Sequence, residues 1–184
     1  MDLTGSILIS MPGMGDPRFA HSVVLICAHS DEGAMGLIVN KPLPDLNFAG
    51  LLQHLNIPTS PEGRDIRVHF GGPVERGRGF VLHSTDWPGE GGTLEVAGDY
   101  GLTGTMDVLQ SLATGGGPSR ALLALGYAGW GPGQLEAEIA RNDWLTADAP
   151  QDLVFAADDG GKWAAALKQL GVDPLSLSAT AGRA

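Results

Sequence analysis

Ser22-Val23-Val24-Leu25-Ile26-Cys27-Ala28-His29-Ser30-Asp31-Glu32-Gly33-Ala34-Met35-Gly36-Leu37-Ile38-Val39-Asn40 is the segment on which the fold class turns. From Val23 to Ala28 every position is apolar, so both faces of this strand need cover, as in the middle of a sheet. Ser30-Asp31-Glu32-Gly33 then supplies turn residues, including the glycine that a tight reversal needs, and Ala34 to Asn40 returns as the second arm of a hairpin. Lys41-Pro42 ends that arm.

Working outward, Gly5 to Ser10 is a short apolar run stopped by Pro12 and Gly13, and reads as another buried strand. Ile66-Arg67-Val68-His69-Phe70 alternates at period two, Gly71-Gly72-Pro73 breaks it, and Gly79 to His83 follows; these two strands are expected to pair. Leu94 to Ala97 is a weak strand, Arg120 to Tyr127 a buried one flanked by glycines, and Leu153-Val154-Phe155 a further short one. Ser84 to Thr93 reads as loop. Phe48, Leu51, Leu52 and Leu55 recur on one helical face, as do Met106, Leu109, Leu112 and Ala113. Gln134 to Arg141 and the Trp163, Leu167, Leu170 set closed by Gly171 complete four short helices. The expectation is one α+β (α/β) domain over residues 1–175, with a small polar, frayed tail over residues 176–184.

Composition narrows the class of protein. Glycine and proline supply 28 and 12 of the 184 residues, yet 43% are hydrophobic, so the chain is turn-rich but folded. The net charge of −10 is the wrong sign for counterion release from a phosphate backbone, which disfavours direct nucleic-acid binding and leaves it as an alternative. A single cysteine, Cys27, excludes an internal disulfide and fits the cytoplasm. The longest strictly apolar run is Val23 to Ala28, far short of the ~20 residues of a membrane helix, and no cationic segment precedes Ile7; neither a membrane span nor export is expected.

Motifs for familiar chemistry are missing: there is no Gly-x-Ser-x-Gly elbow, no phosphate-binding Gly-x4-Gly-Lys loop, no Gly-x-Gly-x-x-Gly and no His-Glu-x-x-His. No catalytic residue, metal ligand set or cofactor is assigned on this reading. Cys27 and His29, two apart on a strand, are able to form a thiolate–imidazole pair, but a core cysteine is the simpler reading. The best ligand candidate is the glycine-rich segment from Gly126 through Tyr127, Trp130, Gly131 and Gln134. It is expected to lie against Gly71, Gly72 and Pro73, with His83 nearby, and to wall one cleft. Trp130 is either a rim aromatic of that cleft or a core side chain. His69, His83 and Tyr127 are the residues an enzymatic alternative would use. Arg64, Arg67, Arg76 and Arg78 stand against only Asp65 and Glu75 and form a candidate anion or partner patch, or an edge defended by charge.

Several blocks carry a resemblance. Gly5 to Met14 with Asp16-Pro17-x-Phe19, Ser22 to His29, Gly33 to Pro42, Gly71-Gly72-Pro73-Val74, Arg78 to His83, Gly126 to Glu136, and Asn142-x-Trp144-Leu145 together resemble the YqgE/AlgH family of bacterial proteins, in order over residues 5–165. The resemblance implies a single domain whose bifurcated mixed sheet folds into a pseudo-barrel, and a cytosolic location. The family is commonly labelled a transcriptional regulator, but it brings no catalytic residues to these positions, and the residues here offer neither a helix-turn-helix signal nor a basic face. The expected role is a regulatory or accessory one, exerted through a small ligand or a protein partner, with any transcriptional effect indirect.

Overall fold

The computed structural model describes residues 1–177. In chain order the elements are β1 (Ser6–Ser10), β2 (Val23–Ser30), β3 (Gly33–Ile38), α1 (Phe48–His54), β4 (Val68–Phe70), β5 (Val74–His83), β6 (Thr93–Val96), β7 (Tyr100–Thr103), α2 (Met106–Ala113), β8 (Ala121–Trp130), α3 (Gln134–Ala140), β9 (Trp144–Asp148), α4 (Gln151–Val154) and α5 (Lys162–Gln169). The nine strands form one curled sheet in the order β6-β7-β5-β8-β3-β2-β1-β9, with β4 added against β8. The architecture is a single α+β domain built on a mixed, mainly antiparallel half-barrel. No helix among the described residues is long and apolar enough to cross a membrane.

β8 is where the sheet divides. Its first half pairs antiparallel with β5 (Leu82↔Leu122, Phe80↔Ala124) and parallel with β4 (His69↔Ala124). Its last three residues pair with β3 instead (Gly36↔Ala128, Ala34↔Trp130). Gly71 sits at the fork: its N–H donates to the Leu125 carbonyl, and its carbonyl accepts from the Ile38 N–H. Gly126 adopts φ 76°, and a β-carbon there would lie 2.3 Å from the Gly72 oxygen, so only glycine satisfies both the backbone angle and the close approach.

That irregularity also reverses the facing of side chains. Before it, Leu122 and Ala124 face the interior while Leu123 and Leu125 face out; after it, Tyr127 joins the interior while Ala128 and Trp130 lie outside. The interior cluster runs from Ile7, Leu25 and Leu37 across to Phe80 and Leu122, and Ala166 and Leu167 of α5 pack into it. α1 and α2 cover the outer face of the β4/β5/β8 half with Phe48, Leu52, Val108 and Leu112. On the other half, Leu135 of α3 and Trp144 of β9 cover Leu8, Val24 and Ile38.

Four local expectations need correction. The strands at Val68–Phe70 and Gly79–His83 do not pair with each other, because β8 lies between them and takes one on each edge. Leu153-Val154-Phe155 is not a strand: Pro150 accepts from the Val154 N–H at 3.1 Å and opens the one-turn helix α4, an outcome that a short apolar run leaves open. β7 and β9 lie in segments not read as strands. The strand read as ending at Tyr127 runs on to Trp130, and only Gly131 to Gly133 turns. A short 3-10 turn, Pro174–Ser176, runs into the first residue of the expected tail, and residues 178–184 of that tail lie outside the described residues.

Candidate functional site

A trough of about 880 Å³ opens at the curl of the sheet. Met35, Phe80, Leu102 and Tyr127 line it and belong also to the interior cluster, while Val74 and Leu94 stand exposed at its rim. Gly33, Gly92, Gly104 and Gly129 leave parts of its wall without side chains. Arg78 is its single Lys or Arg, with the guanidinium carbon 4.9 Å from the centre of the Phe80 ring and one nitrogen 3.8 Å from Glu75. That ion pair is exposed and weak, so Arg78 has charge to offer a ligand. His29 also lines the trough, but both its nitrogens are committed. Nδ1 accepts from the Leu3 N–H at 3.0 Å, and Nε2 therefore carries the proton and meets Glu136 at 2.6 Å.

The expected cleft is thus assembled only in part. Gly71 and Gly72 do lie against Gly126 and Tyr127, as expected, but they form the fork of the sheet. Tyr127 reaches the trough. Trp130 is 7% exposed and lies between the trough and a smaller cleft on the outer face, which Pro73 and Gln134 also line. There the Trp130 and Trp144 indole N–H groups both donate to Oε1 of Glu138, at 3.2 and 3.0 Å, and Gln134 donates to Oε2 at 2.8 Å. The Gly131 N–H donates to the Gln134 side chain at 3.0 Å, which closes the turn. The Trp130 to Gln134 end of the block is therefore held by the Glu138 carboxylate of α3.

His83 lies elsewhere and is buried. Its Nδ1 donates to the Ser84 carbonyl at 2.7 Å, so its Nε2 accepts from the Thr103 hydroxyl at 2.7 Å. Burial lowers its pKa, which favours this neutral form. Cys27 sits at an irregularity where the β2–β3 register shifts between Ile26 and Ala28, which places its thiol in the interior while His29 turns to α3. The two form no pair, and burial pushes the thiol up to about 12.

The four arginines do not make one patch. Arg76 and Arg78 stack on Phe70 and Phe80. Arg64 donates to the carbonyls of Gly116, Pro118 and Ser119, and Arg67 to those of Ala156 and Ala157. Arg67 also meets Asp159 at 3.0 Å, at the edge of a charge cluster whose buried members Asp159 and Lys162 do not stand out in the sequence. His69 Nε2 lies 3.1 Å from both Asp159 oxygens, and Lys162 Nζ lies 2.9 Å from one of them. Lys162 also donates to the carbonyls of Val39 and Val154 at 2.9 and 2.7 Å, which accounts for all three of its protons. Burial alone would raise the Asp159 pKa, but hydrogen bonds from His69 and Lys162 outweigh it and hold the carboxyl below its ordinary value. Within Asp158-Asp159-Gly160-Gly161-Lys162 only Asp159 and Lys162 are buried, through long-range contacts with His69 of β4 and with Val39.

A curled-sheet α+β domain with a ligand-sized trough in the curl is the class these features define. The family model for AlgH-like proteins matches residues 7–175. A UPF0301 protein of Cereibacter sphaeroides is 66% identical over the whole of both chains, and one of Ruegeria pomeroyi is 58% identical over the whole of both. The solution structure of the AlgH protein from Pseudomonas aeruginosa is similar at a TM-score of 0.80 and 41% identity, covering 96% of this chain and 93% of that one. A Corynebacterium diphtheriae crystal structure shares the fold at a TM-score of 0.73 and 23% identity, covering 91% and 86%. The chain belongs to the YqgE/AlgH family, a bacterial family whose molecular function is not established.

Proposed function

We propose that this chain is a cytoplasmic accessory protein that captures a small, elongated apolar molecule with an anionic end in the trough, and that any effect on transcription is indirect. The observation that carries this reading is the trough itself: an opening of about 880 Å³ onto the interior, walled largely by apolar side chains and bare glycine backbone, with His29, Ser30 and Glu32 as further lining residues and Arg78 as its single Lys or Arg. Volumes of ~300–1,000 Å³ with few polar groups are typical of small-molecule sites. A protein partner is the competing occupant, and a helix or loop inserted there would use the same exposed Val74 and Leu94.

Amide NMR titration with decanoate tests the reading. Saturable shifts confined to Ala34, Gly104 and Gly129 are expected, with affinity reduced several-fold in Arg78→Gln but retained for the wild type at moderate salt. Shifts scattered over the surface, or equal binding by Arg78→Gln, would defeat it.

A further inference from the structure

A second cavity, of about 460 Å³, lies between the start of β8, the strand leading into β4, and the α4–α5 segment. We infer that it is a binding site for a small oxyanion, a phosphate or carboxylate group carried by a compact polar molecule.

Its lining differs from that of the trough. Arg64, Arg67, Arg120 and Lys162 line it, with Asp65 and Asp152, and the buried Asp159 stands behind. Four cations thus face three carboxylates in a protein whose net charge is −10. The pairing is also uneven. Asp159 is shared by Arg67 and Lys162, at 3.0 and 2.9 Å, so one carboxylate answers two cations. Arg64 bonds only carbonyl oxygens and, among the described residues, has no carboxylate within 4.0 Å. Arg120 meets Asp152 at 2.7 Å, but the Asp152 side chain is 89% exposed, so that pair can exchange for a ligand at little cost.

One lining residue has an unpartnered buried nitrogen. His69 is fully buried and lines the cavity, one ring nitrogen committed to Asp159, while Nδ1 has no hydrogen-bond partner among the described residues. A buried polar atom left unbonded is costly, so the wall of this cavity carries a polar group that the fold itself does not satisfy. Guanidinium groups on the rim, with the Ser119 and Gln151 side chains beside them, suit a tetrahedral or planar oxyanion.

The test is titration of the full chain with inorganic phosphate and, separately, with malonate, followed by calorimetry and amide NMR. Saturable binding of at least one probe at or below ~10 mM is expected, with shifts confined to residues 64–69, 119–122 and 151–157. Arg120→Met, which loses only an exposed pair, should weaken binding by at least ~10-fold, the worth of one charge-assisted hydrogen bond. Arg76→Met removes the same charge far from the cavity and should change it less than ~2-fold. Binding of phosphate alone assigns a phosphorylated ligand, and binding of malonate alone a carboxylate. No saturable binding of either probe, shifts elsewhere, or equal losses in Arg120→Met and Arg76→Met would overturn the inference.

Discussion

Replacing Trp130 by alanine should destabilise the protein by about 4 kcal/mol, within the ~3–5 kcal/mol range for emptying a buried aromatic site. Trp130 is 7% exposed, packs edge-on against Trp144 at 6.1 Å between ring centres, and supplies one of the two indole donors to Glu138. Loss of the ring removes packing on the outer face of β3 and leaves Trp144 as the only indole on the carboxylate. Trp130→Phe separates these contributions: it keeps most of the ring and removes the N–H, so it should cost about 1.5–3 kcal/mol, the worth of one hydrogen bond to a charged group. In a domain of this size ~1 kcal/mol moves the melting temperature by ~2–4 °C, so the alanine variant should melt about 8–16 °C lower. Urea unfolding followed by the fluorescence of the remaining tryptophans, with far-ultraviolet dichroism as a second probe, measures both. A loss below ~1 kcal/mol in Trp130→Ala, or equal losses in the two variants, would refute the assignment of Trp130 to the core.

Gly72→Ala should abolish folding rather than weaken it, because the added carbon would lie 2.0 Å from the Tyr127 carbonyl carbon at φ 154°; soluble expression with native dichroism would contradict this. Cys27 should resist alkylation in the native state at neutral pH and react only on unfolding, since its thiol is buried and pushed up to about 12; rapid native labelling counts against it. Asp86 is held down to about 2, first by the Ser84 hydroxyl and then by Ser119, and Asp159 is also held below its ordinary value. A depressed folded pKa means stability that is complete above the unfolded value of about 3.8 and is lost as pH falls toward 2, so urea midpoints should drop across that window, and less steeply in Asp86→Asn.

Local periodicity carried much of the fold. The β2–β3 hairpin, β1, α1, α2, α3 and α5 all show in the spacing of their apolar residues, because each pattern is set by near neighbours. Partner choice is different in kind. Nothing within Val68–Phe70 or Val74–His83 says that β8, some forty residues on, will separate them. Trp144–Asp148 was legible in principle, since Leu145 and Ala147 alternate toward the interior while Trp144 faces out, but the preceding helix and the polar Asp148 masked the run. At the site, the closeness of Gly71 and Gly72 to Gly126 followed from glycine content alone. The cleft expected around them did not form as one, because Tyr127 and Trp130 stand three apart on β8 and so point to opposite faces of the sheet. The Asp159–Lys162 pair was hidden for a related reason: burial of a charged turn is a property of what packs upon it.

The position of β8 bears on how the protein is made. Three earlier strands, β3, β4 and β5, find their common partner only in residues 121–130, and β1 waits for β9 at its outer edge. At ~5–20 residues per second, a ribosome needs on the order of ten seconds to travel from the end of β3 to Trp130, whereas a hairpin closes in microseconds. For that interval the nascent chain carries β1, β2 and β3 with the outer edges of β1 and β3 open, the condition in which chains join wrongly to one another. Glu75, Arg76 and Arg78 charge the exposed half of β5 against such joining. A chain released before residue 121 has no central strand on which to assemble, so the burden of keeping it apart falls on whatever holds the nascent chain until β8 emerges.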